Sequence, residues 1–102
     1  MRIYIAGPIT GIMDYKKKFR KVESNLKSMG HIVINPSFLP DGLINYMEIC
    51  KKMIDQSDSV YFLSGSDKSV GSLEEFNYAK LLNLKIYYET KQLEEALNCN
   101  EN

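Results

Sequence analysis

The sequence alternates between two periodicities along its whole length, and this alternation restricts the folds available to it. Four short apolar runs are typical of buried β-strands: Ile3–Ala6, Ile32–Ile34, Val60–Leu63 and Ile86–Tyr88. Between and after these runs, apolar residues recur at helical spacing. The chain therefore has the order βαβαβαβα, which favours a parallel sheet with helices on both faces.

The predicted helices have recognisable ends. Asp14 is a candidate N-cap for the first helix and Gly30 ends it, while Thr90 is a candidate N-cap for the last. The second helix carries a broad stripe of apolar residues: Leu43, Tyr46, Met47, Cys50, Met53 and Ile54. Because this stripe is broader than one sheet face needs, we expect part of it to contact a second subunit in a homodimer or a larger homo-oligomer.

The order of the strands follows from the handedness of the crossovers. Right-handed connections place the first strand inside the sheet and predict the order 2-1-3-4. The prediction is a single three-layer α/β domain over residues 1–102, of flavodoxin-like or Rossmann-like type. Ligands of such sheets bind beyond the carboxyl ends of the strands, where the winding direction reverses. Here that point brings the loop over residues 7–11 beside the loop over residues 64–71.

Composition argues against several classes of partner. Thirteen basic residues balance thirteen acidic ones, so no net charge attracts the protein to nucleic acid or to a membrane surface. No apolar run approaches the ~20 residues that cross a bilayer. Cys50 and Cys99 are the only cysteines and lack the spacing of a metal site. We therefore expect a cytoplasmic protein that uses no metal and no cofactor.

The loop after the first strand contains two glycines around a hydroxyl group. In Gly7-Pro8-Ile9-Thr10-Gly11, the glycines at both ends allow backbone N–H groups to approach an anion closely. The same residues also suit a tight turn between a strand and a helix. Because the loop has neither GxGxxG nor Walker spacing, the turn is the favoured interpretation when the loop is considered alone.

The loop after the third strand leads into a helix through residues 69–75. Free N–H groups at a helix start favour a phosphate or carboxylate, and Ser69 and Ser72 add hydroxyl groups. We place Glu75 in the first turn, where the helix dipole favours its ionised form and makes it a candidate charged nucleophile. Ser72 and Glu75 also have the spacing of a capping box, which needs no substrate and which spacing alone favours.

Three segments in register resemble the nucleoside 2-deoxyribosyltransferase superfamily, and in particular a short bacterial and phage branch of it. These segments are MRIYIAGPITG, SDSVYFLSG and SVGSLEEFNYAKLLNLKI. The most specific element is a glycine followed at fixed spacing by a glutamate and a Tyr-Ala pair, here Gly71, Glu75, Tyr78 and Ala79. The resemblance extends over nearly the whole chain.

The resemblance implies a reaction at the bond between a base and a sugar. In the family, the glutamate matching Glu75 attacks the anomeric carbon and expels the base, and water or a second base then resolves the glycosyl ester. The tyrosine matching Tyr4 hydrogen-bonds this carboxylate. In members that act on nucleoside 5′-monophosphates, the phosphate lies among the groups matching Ile9, Thr10, Gly11 and Ser69. The expected activity is therefore that of an N-glycosidase or 2-deoxyribosyltransferase acting on a nucleoside or nucleoside 5′-monophosphate.

Two positions depart from the family pattern. Cys50 stands where the family usually carries an aspartate that helps to protonate the leaving base, and a thiol with a pKa of ~8.5 is a poor substitute. Ser66 stands where the short branch often has a tryptophan that can stack on a base. These departures favour an alternative function, a catalytically weakened protein that binds a nucleotide without turnover.

The predicted site combines the two loops with the residues that the resemblance adds. Glu75 and Tyr4 are the predicted catalytic residues. Asp67 lies in the second loop and is a weaker candidate for contact with a sugar or base, because loop aspartates are commonly just solvated. The predicted substrate-binding residues are Gly7, Ile9, Thr10, Gly11, Cys50, Asp67, Ser69 and Gly71.

Overall fold

The computed structural model describes residues 1–99, in which a four-stranded parallel sheet is flanked by helices. The strands are β1 (Arg2–Ala6), β2 (Ile32–Ile34), β3 (Ser59–Phe62) and β4 (Lys85–Tyr88). The helices are α1 (Tyr15–Ser28), α2 (Tyr46–Asp55), α3 (Val70–Leu81) and α4 (Lys91–Cys99). None of the helices within residues 1–99 is long and apolar enough to cross a membrane. Residues 100–102, which the predicted domain includes, lie outside the described residues.

The strand order is β2-β1-β3-β4, which confirms the prediction. β1 pairs with β2 and with β3 in parallel, so that Tyr4 lies between Ile34 and Val60. Farther along, Phe62 lies between Ala6 and Tyr88. All four strands therefore end at the same edge of the sheet, where the connections to α1 and α3 leave β1 and β3 in opposite directions.

Alternate residues of β1 contribute to two separate cores, because successive side chains of a strand point to opposite faces. Ile3 and Ile5 pack with Phe19 of α1 on one face. Tyr4 and Ala6 face the other side, which is covered by α2, α3 and α4. This alternation puts the Tyr4 side chain, which is 0% exposed, on the same side of the sheet as α3.

The two predicted N-caps have different outcomes. Asp14 precedes α1 as expected, but it has φ +60° and its side chain makes no capping hydrogen bond. Its carbonyl oxygen instead accepts from the N–H groups of Lys17 and Lys18. At α4 the prediction is confirmed, since the Leu93 N–H donates to Thr90 Oγ1 at 3.1 Å.

The apolar stripe of α2 is largely covered by its own chain. Cys50 and Ile54 are both 0% exposed. Tyr46, Met47 and Met53 are partly buried and pack against the same core. The helix begins at Tyr46, so Leu43, the remaining residue of the stripe, lies in the preceding loop. The stripe by itself therefore no longer indicates a subunit interface, and oligomerisation stays a prediction.

Candidate active site

A pocket of about 780 Å³ opens at the carboxyl end of the sheet. It is lined by β1 and the loop that follows it, by the loop between β2 and α2, and by the first turns of α3. This is the edge at which the topology predicts a ligand site. The volume is within the range of pockets that bind small molecules of nucleoside size.

At the inner end of the pocket, the hydroxyl of Tyr4 donates a hydrogen bond to Glu75 Oε2 at 2.5 Å. Tyr4 comes from the middle of β1 and Glu75 from α3, and the two side chains are 0% and 6% exposed. The contact joins residues 71 positions apart in the chain. It brings the two predicted catalytic side chains together.

Burial controls the protonation of this pair. It raises the pKa of Glu75 to about 7, and the adjacent charge of Glu74 acts in the same direction, whereas the hydrogen bond from Tyr4 lowers it. Burial also raises the pKa of Tyr4 well above its ordinary value, so the proton of the hydrogen bond stays on the phenol. At neutral pH, Glu75 is therefore present in both its protonated and its ionised form.

The start of α3 and this burial correct three predictions about Glu75. α3 begins at Val70 with no acidic residue in its first turn, so Glu75 lies one turn farther along. The capping-box prediction is wrong, because Ser69 is the N-cap and its Oγ accepts from the Ser72 N–H at 3.2 Å. The expected stabilisation of the ionised form by the helix dipole is also wrong. Desolvation of a buried carboxylate exceeds the ~0.3–1 kcal/mol that a helix dipole supplies.

The start of α3 offers hydrogen-bond donors to the pocket. Ser69, Gly71 and Ser72 all line it. The first N–H groups of a helix have no partner within the helix. In addition, Ser72 Oγ is buried without a hydrogen-bond partner in the described part of the chain. These groups can bind a ligand hydroxyl or an anion.

The loop after β1 forms the opposite wall. The predicted residues Gly7, Ile9, Thr10 and Gly11 all line the pocket. A Cβ atom on Gly7 would lie only 3.0 Å from the Leu63 side chain, so a larger residue there would require Leu63 to shift. The two loops that the topology was expected to bring together therefore do meet around one pocket.

Cys50 and Asp67, two of the predicted binding residues, do not line this pocket. Cys50 is fully buried within hydrogen-bonding reach of Tyr4 and Tyr46, and burial raises the pKa of its thiol. Asp67 lies in a 3₁₀ turn, Ser66–Lys68, ahead of α3. Ser66 is buried as well and donates to the Leu63 carbonyl at 2.6 Å, so it offers no surface to a ligand.

Several lining residues were not predicted from the sequence. They come from the connections before α1 and α2 and from the starts of these two helices: Ile12, Met13, Tyr15, Asp41, Ile44, Tyr46 and Met47. The length of the loop before α2 and its Asp41-Gly42 turn were the available signals, since a long loop at this edge commonly covers a ligand. Which of its side chains face the pocket depends on the tertiary fold.

The charge of the pocket is unusual for an anion site. Within residues 1–99, the charged side chains that line it are two carboxylates, Asp41 and Glu75. An anionic ligand would therefore be held by N–H and hydroxyl groups alone. Among the same residues, no group of three or more histidine, cysteine, aspartate or glutamate side chains could hold a metal ion.

The fold and the site together define a parallel α/β domain with a buried carboxylate–tyrosine pair in a ligand-sized pocket. Residues 1–88 match the family described as a domain of unknown function, DUF4406, and the chain belongs to that family. The match includes every residue of the pocket. No curated protein matches the chain.

Proposed function

We propose that this protein cleaves the bond between the base and the sugar of a nucleoside or nucleoside 5′-monophosphate, as a hydrolase or a deoxyribosyltransferase, with Glu75 as the nucleophile. The observation that carries the proposal is the buried hydrogen bond between Tyr4 and Glu75 at the inner end of the pocket. A carboxylate buried at this depth is costly, and its position in a ligand-sized cavity is typical of a functional group.

The proposed reaction has two steps. A carboxylate oxygen of ionised Glu75 bonds to the anomeric carbon, while the carbon–nitrogen bond breaks and its electron pair leaves with the base. The departing nitrogen takes a proton from solvent. Water, or the N–H nitrogen of a second base in the transferase, then attacks the same carbon and loses its proton to solvent, while the ester bond breaks and Glu75 leaves as the carboxylate. Tyr4 holds Glu75 in place and stabilises its negative charge before the attack.

The start of α3 is suited to bind the sugar or its phosphate. Ser69 and Ser72 supply hydroxyl groups and Gly71 supplies a backbone N–H beside Glu75. The unpartnered Ser72 Oγ would gain a hydrogen bond when a ligand or an ordered water fills this end. Because no cationic side chain lines the described pocket, a nucleoside should bind nearly as well as its monophosphate.

The test uses a panel of nucleosides and their 5′-monophosphates, with the released base measured by chromatography. Addition of a second base distinguishes exchange from hydrolysis. A 2′-deoxy-2′-fluoro-arabinosyl nucleoside should leave its sugar attached to Glu75, because the fluorine slows breakdown of the ester. The expected result is a mass increase of the intact protein that the Glu75→Gln variant lacks. Base release without any dependence on Glu75 would refute the proposed mechanism.

A second candidate is a nucleotide-binding protein without turnover. Two features favour it: burial raises the pKa of Glu75 to about 7, which leaves part of it protonated at neutral pH, and a buried thiol occupies the position at which the deoxyribosyltransferase family usually carries an acid. Calorimetry separates the candidates, since a pure binding protein would give a heat of binding with no free base after prolonged incubation. Binding and release by the same preparation would exclude this candidate.

We also propose that the protein is a cytoplasmic homo-oligomer. Both cysteines are unpaired, as expected in a reducing compartment. Ile12, Met13 and Ile44 at the mouth of the pocket are 47%, 89% and 97% exposed, and such apolar side chains favour contact with a second copy or a ligand.

A further inference from the structure

The proposed reaction leaves one charged group of the pocket without a role. Asp41 lines the same cavity as Glu75, on the loop between β2 and α2. Whereas Glu75 is buried at the inner end, Asp41 is exposed. The pocket is otherwise largely apolar. The Asp41 carboxylate is therefore a hydrogen-bond acceptor at a defined position near its mouth.

Asp41 is held from across the pocket. The hydroxyl of Tyr15, the first residue of α1, donates to Asp41 Oδ1 at 2.7 Å. The Tyr15 ring in turn packs edge-on against Phe19, with ring centroids 6.1 Å apart and an interplanar angle of 88°. Phe19 is buried in the core, so the chain of contacts ties the loop carboxylate to the body of the domain.

The second oxygen, Oδ2, accepts no hydrogen bond from the described residues, and Oδ1 retains a free lone pair. An ionised carboxylate only accepts hydrogen bonds, and it binds best two parallel donors on one planar group. The lining of the pocket also includes apolar side chains, Ile12, Ile44 and Met47 among them. The mouth therefore suits a flat heteroaromatic ring whose outer edge presents two adjacent N–H groups.

We propose that Asp41, positioned by Tyr15, selects guanine-type bases. Guanine presents a ring N–H beside an exocyclic amino group and can satisfy both carboxylate oxygens. Hypoxanthine keeps only the ring N–H, and adenine places an unprotonated ring nitrogen beside its amino group, which the carboxylate repels. The inference rests on the proposed function, because a base–sugar substrate with its sugar at Glu75 places its base toward the mouth.

The test measures the affinity of deoxyguanosine, deoxyinosine and deoxyadenosine by titration calorimetry, independently of turnover. We expect deoxyguanosine to bind about tenfold more tightly than deoxyinosine, with deoxyadenosine weakest, as for a hydrogen bond to a charged group near solvent. In Asp41→Asn the advantage of guanine should shrink to about twofold or less. Tyr15→Phe should lose part of this advantage, because the Asp41 carboxylate then lacks the hydrogen bond that fixes its orientation.

Asp14→Asn is the matched control. It removes a carboxylate next to Tyr15 that does not line the pocket, and asparagine tolerates the positive φ of this position. Its base preference should equal that of the wild type. Thermal melting of each variant checks that the exposed substitutions leave the fold intact.

The outcomes separate this inference from the proposed function. If all three nucleosides bind with similar affinity and release their bases at similar rates, the proposed function is supported and the role of Asp41 is refuted. A guanine preference that disappears in Asp41→Asn without any base release would support Asp41 and refute the glycosidase. Binding of none of the three would refute both.

Discussion

At the inner end of the pocket, Tyr4 and Glu75 are 0% and 6% exposed, whereas at its mouth Met13 and Ile44 are 89% and 97% exposed. The inner pair lies on β1 and α3, which are built into the core. The mouth residues lie on connections between elements. Both groups line one cavity, so the difference lies in how far each is shielded from solvent.

The comparison assigns different tasks to the two ends. Burial strengthens electrostatic interactions and fixes geometry, both of which bond cleavage requires. Exposed loops can adapt to a ligand and contribute its specificity. At the mouth, Asp41 is oriented by the hydrogen bond that it accepts from Tyr15 across the pocket. The following predictions test whether bond cleavage depends on the inner end of the pocket and ligand recognition depends on its mouth.

The largest effect is expected for Glu75→Gln. Glutamine has the same shape and can still accept the Tyr4 hydrogen bond, but its neutral amide is not a nucleophile. Turnover should fall by more than about 10³-fold while the variant folds normally. Base release under single-turnover conditions measures this. Retention of turnover in a folded Gln variant would remove the inner pair from the chemistry.

The second prediction concerns stability against pH. Because the pKa of Glu75 is raised to about 7 in the folded state, the folded protein keeps this proton after the unfolded chain has lost it. Stability should therefore decrease as pH rises from ~4.5 to ~7, by roughly 3 kcal/mol from this group. Urea unfolding of the wild type and Glu75→Gln across this range measures the difference. Parallel curves for the two proteins would show that Glu75 is not buried as described.

Tyr4→Phe should have a smaller effect on rate and a distinct effect on pH dependence. Loss of the hydrogen bond that lowers the pKa of Glu75 should move its ionisation to higher pH. The rising limb of kcat/KM should shift upward in pH, and the plateau should fall by about tenfold. A lower plateau with an unshifted limb would mean that Tyr4 acts without influencing the Glu75 proton.

Ser69→Ala and Thr90→Ala form a matched pair of cap substitutions, since each hydroxyl accepts a hydrogen bond from a helix N–H. Each should lower the free energy of unfolding by about 1 kcal/mol. Only Ser69 lines the pocket, so only Ser69→Ala should also weaken ligand binding. Equal loss of binding in both variants would point to a general effect of stability.

The smallest effect on stability is expected for Ile44→Ser at the mouth. The side chain is 97% exposed, so the unfolding free energy of the monomer should change by less than about 0.5 kcal/mol. If the mouth contacts a second copy, the same change should weaken self-association in sedimentation. Unchanged association would place any subunit interface elsewhere on the molecule.

Much of the fold was predictable from local pattern. The apolar runs and helical stripes gave the four strands and the order β2-β1-β3-β4, because right-handed crossovers leave few alternatives. The same topology located the pocket between the loop that contains Gly11 and the start of α3 at Gly71. The strand order and the edge of the sheet at which ligands bind thus depend on the order of strands and helices along the chain. That order can be read from a single sequence.

The tertiary structure decided the state of the residues in that pocket. Sequence spacing favoured a capping role for Glu75, but the angular position of α3 against the sheet turns its side chain onto Tyr4 and buries it. That burial, which no local pattern reports, sets its pKa. Likewise Cys50 is buried and Asp41 faces the cavity because loops and helices pack over long sequence separations. Local residues specify the elements, but desolvation and contact are properties of the packed domain.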